Sequence, residues 1–250
     1  MSQTDGAGDK ITPGGNRISS MSPATFLAVL ILVAQVLVSI VTYPFMPDSV
    51  PSHWNAAGQI NGYLPKLVNA LLFPLMSIGI YALVRVLMTV GPRLGYQNQQ
   101  RASAGVVNLI LVGVLLFMLI LQLTTTAIAL GVPIDLPFVI CLLISVLFIF
   151  LGNYMGKLRR NFWAGIRTPW TLTSDVVWER THRLGGWLFV LTGLLGVIMS
   201  FVPALRLWGL MTVLLIVVVV LVVYSFVIYQ RYTVQGKEPL SPPFDTGDSV

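Results

Sequence analysis

The chain has 250 residues, 56% of them hydrophobic and only 10% charged, with a mean hydropathy of +0.83. Soluble domains average about 45–50% apolar and about 25% charged residues, so this composition excludes an ordinary soluble domain and predicts a membrane protein. The formal net charge of +6 is better explained by basic loops on the inner side of a membrane than by nucleic-acid binding. We therefore expect no direct nucleic-acid partner.

The chain begins with a polar segment rich in Gly and Ser, which we interpret as a disordered cytoplasmic tail over residues 1–23. The apolar run after it is long enough to span a bilayer and lacks a clear small-residue cleavage site, which favours an uncleaved first helix over a signal peptide. Six segments have the roughly 20 mostly apolar residues that a spanning helix needs. They are 24–45, 67–90, 103–130, 136–154, 186–202 and 206–229.

The loop between the first two spans, residues 46–66, is rich in turn-forming residues, including the Asn-Gly pair at 61–62. One interpretation is an ordered external cap that places Trp54 at the membrane interface. The alternative is a surface that contacts an extracellular molecule. His53, with Asp48 as its one nearby carboxylate, is too little for a metal site, and we predict no metal.

Single residues mark the later spans. Pro74 interrupts the second span, where we expect a kink because proline removes a backbone hydrogen bond. Cys141 is the only cysteine and lies inside the fourth span, so we expect a small buried apolar side chain. Pro203 fits a tight turn between the last two spans. The spans contain no carboxylate, only neutral polar residues, which suit hydrogen bonds between helices.

The longest predicted inner loop, residues 153–185, concentrates the polar chemistry of the chain. Residues 165–186 alone contain two carboxylates, three arginines, one histidine and two tryptophans. The simplest interpretation is a loop that lies against the inner leaflet, since Trp and basic residues favour that interface. Local signals indicate more order, because Thr173, Ser174 and Asp175 supply oxygens that can cap a helix over about 175–184. That helix would place four residues along one side: Trp178, Thr181, His182 and Gly185.

Arg167 is the sharpest single candidate in this loop. Its guanidinium can bond helix C-terminal carbonyls or a carboxylate such as Asp175 or Glu179, so we predict a structural clamp, with direct ligand binding as the alternative. His182 is predicted to be a packed, hydrogen-bonded histidine rather than a base or ligand, because His53 lies on the opposite side of the membrane. The loop is therefore interpreted as a structural or protein-docking segment in which no chemistry takes place.

The fifth span starts with Gly185 and Gly186, which allow either a bend or close packing. Small residues then recur every four positions, a pattern typical of a helix that packs closely against a neighbour. These residues are Thr192, Gly196 and Ser200. After the sixth span we predict a second disordered cytoplasmic tail, residues 231–250.

Basic residues decide the orientation. Six spans place both termini, the 91–102 loop and the 153–185 loop on one side of the membrane. The opposite side has only Lys66 and Arg206, whereas Arg85 can reach the first side from the second span. The first side has twelve: Lys10, Arg17, Arg93, Arg101, Lys157, Arg159, Arg160, Arg167, Arg180, Arg183, Arg231 and Lys237. The positive-inside rule then makes both termini cytoplasmic. We predict an all-α membrane protein with six transmembrane helices, an ordered outer loop and a long, basic, Trp-rich inner loop.

Two segments of the inner loop, GNYMGKLRRNFWAGIRTPWTL and VWERTHRLGG, together form a long and specific motif. They resemble the SdpI family of bacterial membrane proteins, named for immunity to a secreted peptide toxin. With the helices that follow, the resemblance covers the C-terminal part of the chain. The motif residues, taken as a candidate docking or structural site, are Asn153, Lys157, Asn161, Gly165, Arg167, Thr168, Pro169, Trp170, Thr171, Trp178, Thr181, His182 and Arg183.

The outer loop is similar to a second pattern, P-x-H-[WF]-N-x-x-G, which marks a small membrane domain of unknown function that often precedes SdpI regions. Asn61 stands where that family leads us to expect an acidic residue. The resemblances imply a first membrane domain over 24–130 and an SdpI-like domain over 131–230. The outer motif residues are Pro51, His53, Trp54, Asn55 and Gly58.

The resemblance implies a protein of the bacterial plasma membrane that gives immunity to a membrane-active peptide toxin. It also implies signalling, in which a cytosolic helix-turn-helix repressor is held at the membrane. A small-molecule transporter or channel is the alternative, disfavoured because transporters usually carry ionisable residues inside the membrane. A membrane-embedded enzyme that uses His182, Arg167 and Glu179 is disfavoured further, since the partner groups of a catalytic site are missing. We expect no catalytic residue and no cofactor.

Overall fold

The computed structural model describes residues 21–55, 58–90, 97–161 and 164–234, without the side chains of 97–102 and 233–234. Most of the two predicted tails therefore lies outside the described residues. So do Phe162 and Trp163 of the inner-loop motif.

Six helices, each long and apolar enough to cross a membrane, make up most of the described part of the chain. They are α1 (Pro23–Thr42), α2 (Lys66–Val90), α3 (Gln97–Ala129), α4 (Leu136–Met155), α5 (Asp175–Ser200) and α6 (Trp208–Tyr229). The six predicted spans are thus confirmed. A π-helical turn, Gln230–Val234, extends α6 beyond the point where we predicted the tail to start.

The predicted all-α class needs one correction, because the outer loop folds as an antiparallel β-hairpin. Strand β1 is Ser49–Trp54 and strand β2 is Ile60–Pro65. Both strands contain proline, which a two-stranded sheet accepts at positions that face away from the partner strand. The turn residues of this loop were recognised in the sequence, but its short, irregular strands show no clean alternation of polar and apolar residues.

Helix ends follow the local sequence. Ser174 caps α5, since its side chain accepts a hydrogen bond from the Val177 N–H at 3.3 Å. Asp135 caps α4 in the same way through the Phe138 N–H. Pro203 begins a single 3-10 turn, Pro203–Leu205, between α5 and α6, as predicted for this connection. Helix α2 runs from Lys66 to Val90 with Pro74 inside it.

Helices α1, α2 and α3 pack through an apolar core and a polar seam. Ala28, Ile31, Leu111, Val112 and Leu115 form the buried apolar cluster. In the seam, the Gln122 side-chain amide donates to the Gln35 carbonyl and to Ser39 Oγ, both at 2.9 Å, and Ser39 donates to the Ala70 carbonyl at 2.6 Å. Neutral polar groups therefore join the three helices, as the sequence predicted.

Helices α4 and α5 pack with their backbones in close approach. A Cβ on Gly152 of α4 would lie 2.6 Å from the Gly186 carbonyl oxygen, and one on Gly193 would lie 2.5 Å from the Ser145 carbonyl oxygen. Thr192, Gly196 and Ser200 are all buried. Helix α5 is continuous through Gly186, so these glycines permit close packing and the predicted 175–184 helix is the first part of the fifth span.

Candidate functional site

The inner loop is shorter than predicted, because α4 ends at Met155 and α5 begins at Asp175. Residues 156–174 form the loop, and the remaining motif residues lie on the two helices. We refer to the packed arrangement of this loop on α4, α5 and α6 as the inner-loop cluster. Its base is the contact between Gly152 and Gly186, which leaves no room for a side chain at either position.

His182 is fully buried in the inner-loop cluster. Its Nε2 accepts a hydrogen bond from the Ile166 N–H at 3.0 Å, and its Nδ1 donates to the Trp178 carbonyl at 2.9 Å. The imidazole also stacks on the Trp178 ring, with centroids 3.9 Å apart. Both nitrogens of a neutral imidazole are used by these two bonds. The ring therefore has no lone pair left for a metal or a proton acceptor role.

Gly165 allows the loop to reach His182. Its φ is +116°, a conformation that side chains other than glycine rarely adopt, and a Cβ there would collide with His182 Nε2. Trp178 fixes the other side of the cluster, since its indole N–H donates to the Leu158 carbonyl at 2.8 Å. The glycine, the histidine and the tryptophan of the motif thus form one packed unit.

The T-P-W-T segment is a turn closed by its own threonines. Thr171 Oγ1 donates to the Ile166 carbonyl at 2.9 Å and accepts a hydrogen bond from the Thr168 N–H at 2.8 Å. Trp170 leaves this turn towards α6, where its indole N–H donates to Ser225 Oγ at 2.7 Å. Its ring also packs edge-on against Phe226. Trp170 therefore ties the loop to the last helix.

Arg160 clamps the inner loop. Its Nε lies 2.8 Å from Asp175 Oδ1, its Nη1 donates to the Leu172 carbonyl at 2.9 Å, and its side chain is only 10% exposed. Asp175 and Glu179 are the carboxylates predicted as partners of Arg167, and Glu179 lies 4.0 Å from Arg183. Arg167 is exposed, and its clamp role stays a prediction.

Most motif residues are either buried or exposed; Thr168 and Trp170 are intermediate. Asn161 is buried, with its side-chain oxygen accepting from the Ala164 N–H at 2.7 Å and its amide donating to the Arg159 carbonyl at 2.8 Å. The other fully or nearly fully buried members are Thr171, Trp178, Thr181 and His182. The exposed members are Asn153, Lys157, Gly165, Arg167, Pro169 and Arg183. The exposed set, not the whole motif, is therefore available to a partner.

The outer motif closes the tip of the hairpin. The Asn55 N–H donates to the Gln59 carbonyl, and Asn55 Oδ1 accepts from the Gln59 N–H, both at 2.9 Å. Gly58 has a φ of +78°, and a Cβ there would lie 3.1 Å from Pro137 at the start of α4. His53 Nδ1 is 2.6 Å from Asn61 Oδ1. The motif therefore shapes a tight turn that reaches over to the C-terminal helices.

The base of the hairpin is anchored to the helices. Val50 is fully buried with Met46 and Ala129. Lys66 lies 2.7 Å from Asp48, and the hydrogen bond and the positive charge of this lysine lower the pKa of the Asp48 carboxyl. The hairpin is thus attached at both its base and its tip.

Between the hairpin and the helices lies a cavity of about 380 Å³, which we call the hairpin cavity. Mostly apolar side chains line it, from β1, α2, α3, α4 and the start of α6. Arg206 is the only cation in the lining; it pairs with Asp135 at 2.6 Å and donates to the Ser200 carbonyl at 2.7 Å. His53, Trp54 and Asn55 of the outer motif contribute the wall on the hairpin side. The cavity could not be predicted from the sequence, because its walls are distant from one another along the chain.

Among the described residues, no group of three or more His, Cys, Asp or Glu side chains is placed to hold a metal ion. Cys141 is buried, with its sulfur 3.4 Å from the Arg206 carbonyl.

Six apolar helices, joined by a hairpin at one end and a packed polar loop at the other, define a multi-pass membrane protein. Residues 157–229 match the model of the SdpI/YfhL protein family, and residues 30–78 match that of a domain of unknown function, DUF1648. The first match contains most of the inner-loop motif and the second contains the hairpin. The SdpI family resemblance of the inner-loop motif is thus confirmed over residues 157–229.

A curated relative agrees with these matches. The chain is 27% identical over 206 residues to the Immunity protein SdpI of Bacillus subtilis (strain 168), and the match covers 82% of this chain and 94% of the relative. No solved structure matches the chain. The similarity to the relative thus extends across both membrane regions rather than the motif alone.

Proposed function

We propose that this chain is a plasma-membrane immunity protein that protects a bacterium against a membrane-active peptide toxin. The relative's name, Immunity protein SdpI, supports this role. So does the architecture of six apolar helices with a structured hairpin at one end. In this proposal the hairpin faces outwards, where a secreted peptide arrives, and both termini lie in the cytoplasm.

The orientation is supported by the distribution of basic residues. Lys66 and Arg206 lie at the hairpin end, the first at the base of β2 and the second in the cavity. The arginines and lysine of the inner-loop cluster lie at the opposite end of α4 and α5. The positive-inside rule places the more basic end in the cytoplasm.

Cysteine labelling tests this orientation after Cys141 is replaced by serine. An impermeant thiol reagent should label Gln59→Cys in intact cells and miss Arg159→Cys, since both positions are exposed but at opposite ends. Labelling of Arg159→Cys alone would reverse the orientation and remove the hairpin from the toxin-facing side.

The observation that carries the proposal is the hairpin cavity. An apolar cavity with a few convergent polar groups is the usual form of a binding site. Its walls come from both family regions, since the DUF1648 match supplies the hairpin and the SdpI/YfhL match supplies Arg206 and the start of α6. We infer that apolar side chains of the toxin enter this cavity. In this arrangement the DUF1648 and SdpI/YfhL regions together form one binding site.

A second role, signalling to the cytosol, is favoured by the exposed motif residues of the inner loop. Asn153, at the end of α4, and Lys157 and Arg167, on the loop, are exposed, while the buried motif residues fix the shape of the loop. A rigid polar surface of this kind suits a protein partner, and we infer that it holds a cytosolic helix-turn-helix repressor at the membrane. Trp170 is a poor probe of such docking, because its side chain bonds to Ser225.

Complementation tests the immunity role. The chain is expressed in Bacillus subtilis that lacks its Immunity protein SdpI, and the cells are grown beside the toxin-producing parent strain. We expect restored survival, lost with Ser52→Phe, which fills the cavity from β1, and kept with Ser49→Phe. Ser49 lies on the same strand, exposed and outside the cavity lining.

Membrane levels of each variant are measured in the same cells. No protection by the parent chain at a membrane level equal to that of the relative would contradict the proposal. Equal protection by Ser52→Phe and the parent chain would separate immunity from the hairpin cavity.

A further inference from the structure

A second concave site lies on the lipid-facing side of α5 and α6, at the end that carries the inner loop. This groove has a volume of about 610 Å³ and is lined by Arg180, Arg183, Trp187 and Tyr224 among others. It is separate from the packed interior of the inner-loop cluster, because Arg183 and Trp187 point to the exposed side of α5 while His182 and Gly186 are buried. Neither the family matches nor the immunity role assigns it a ligand.

The depth of the groove in the membrane follows from Trp187. This indole is 73% exposed, and exposed tryptophans of membrane helices favour the boundary between hydrocarbon and headgroups. Arg183 lies one helical turn closer to the end of the helix, about 6 Å farther from the hydrocarbon. Its guanidinium is thus placed at the level of the lipid phosphates, and that of Arg180 close to it.

The groove retains a positive charge. Glu179 also lines it, but its carboxylate lies 4.0 Å from the Arg183 guanidinium and both side chains are more than half exposed. A pair of this kind in solvent is weak and leaves both charges able to bind other partners. Arg180 stacks over the Tyr232 ring, with its guanidinium 4.5 Å from the centroid. The groove therefore contains two guanidinium groups and one carboxylate, and its net charge is positive.

The apolar surface continues from the groove into the membrane. Leu191 follows Trp187 by four residues on the same face of α5 and is 52% exposed. An acidic peptide in the cytosol would leave this apolar surface uncovered, whereas a lipid acyl chain covers it. The positive charge at the headgroup level suits an anionic headgroup, and the apolar face below it suits the acyl chains of the same lipid.

We propose that this groove binds an anionic phospholipid of the surrounding bilayer. Arg183 and Arg180 hold the phosphate, and the acyl chains lie along Trp187 and Leu191. The site is independent of toxin binding, since it uses no residue of the hairpin cavity. The lipid acts here as a structural ligand that fastens α5 to α6 next to the inner loop.

Native mass spectrometry of the full-length chain tests the proposal. The protein in detergent is titrated with phosphatidylglycerol or with phosphatidylcholine of the same acyl chains. We expect phosphatidylglycerol to be retained preferentially, and Arg183→Gln and Arg180→Gln each to weaken its binding about fivefold, as an arginine near an anionic lipid surface should. Arg159→Gln is the matched control, because it removes the same charge from an exposed position outside the groove.

A variant that is expected to bind the lipid more tightly distinguishes lost contacts from lost folding. Glu179→Gln removes the negative charge of the groove and should strengthen the binding of phosphatidylglycerol. Equal retention of the two lipids, or equal losses in Arg183→Gln and Arg159→Gln, would overturn the proposal. So would arginine-dependent binding of polyglutamate without binding of phosphatidylglycerol, which would assign the groove to an acidic peptide.

Discussion

The two polar regions of this protein, the outer hairpin and the inner-loop cluster, use their motif residues in opposite ways. In the inner-loop cluster, His182 and Trp178 bond to the loop's own backbone and fill its interior. In the hairpin, His53 and Asn55 close a turn whose underside remains open as a cavity of about 380 Å³. The polar residues of the inner-loop cluster thus fill a packed interior, whereas those of the hairpin border an open cavity.

The ion pairs of the two regions show the same contrast. Arg160 and Asp175 join the inner loop to α5 with side chains that are 10% and 63% exposed, and Arg160 also bonds the Leu172 carbonyl. Lys66 and Asp48 join the hairpin to α2 with side chains that are 31% and 93% exposed. Exposed pairs contribute little, whereas a buried arginine with an additional hydrogen bond is more costly to remove. The inner loop is therefore the more rigidly held region.

The largest expected effect comes from the contact between Gly165 and His182. Gly165→Ala adds a methyl group that collides with the imidazole and strains a φ of +116°. We expect it to lower the free energy of unfolding by more than about 3 kcal/mol, the sum of left-handed strain and overpacking. Titration with a denaturing detergent, followed by circular dichroism, measures this change.

Gly131→Ala is the matched control for that substitution. Gly131 also has a positive φ, +90°, but a Cβ there would meet nothing within 4 Å. It should therefore cost only the backbone strain, about 1–2 kcal/mol. Equal losses for the two variants would mean that the loop does not pack on His182 and would remove the main difference between the two regions.

The next effect in size is that of the buried clamp. Arg160→Ala should cost about 2 kcal/mol, because it leaves the Leu172 carbonyl without its charged donor and removes the pair with Asp175. Lys66→Ala, the equivalent change at the hairpin, should cost less, because that pair is exposed to solvent. Limited proteolysis of inside-out vesicles measures exposure of the inner loop. The cleavage rate of Arg160→Lys should lie between those of the parent chain and Arg160→Ala, because lysine keeps the charge but loses the second bond. Greater damage from Lys66→Ala would reverse the proposed order of rigidity.

The six spans, the Ser174 cap and the close packing of α5 were all predictable from the sequence. They depend on local signals, namely apolar length, a capping side chain and small residues spaced by four. The clamp was not, because nothing in the sequence distinguishes Arg160 from Arg159 beside it. Its role depends on where Asp175 comes to lie after the chain turns back. The hairpin cavity was unpredictable for the same reason, since Arg206 and His53 meet only in three dimensions.

The smallest expected effect is a pH dependence of the hairpin. Lys66 lowers the pKa of Asp48 in the folded protein, so the pair stabilises the hairpin above the unfolded pKa of about 4 and this contribution is lost as the pH falls through the lower folded value. The protection factors for amide hydrogen exchange over residues 49–65, which correct for the slower intrinsic exchange at low pH, should therefore fall slightly at acidic pH. Asp48→Asn should abolish that fall, while protection in the inner loop stays the same. An unchanged acid response in Asp48→Asn would show that the pair does not hold the hairpin.

The most direct test of the account compares protein level with survival for one variant of each region in the same toxin-challenged cells. We predict that Ser52→Phe, in the hairpin cavity, abolishes protection at an unchanged membrane level. Trp170→Ala, which removes the bond to Ser225, should reduce protection only in proportion to lost protein. Full protection by Ser52→Phe, together with loss of protection by Trp170→Ala at an unchanged protein level, would contradict the account and place the functional surface at the inner loop.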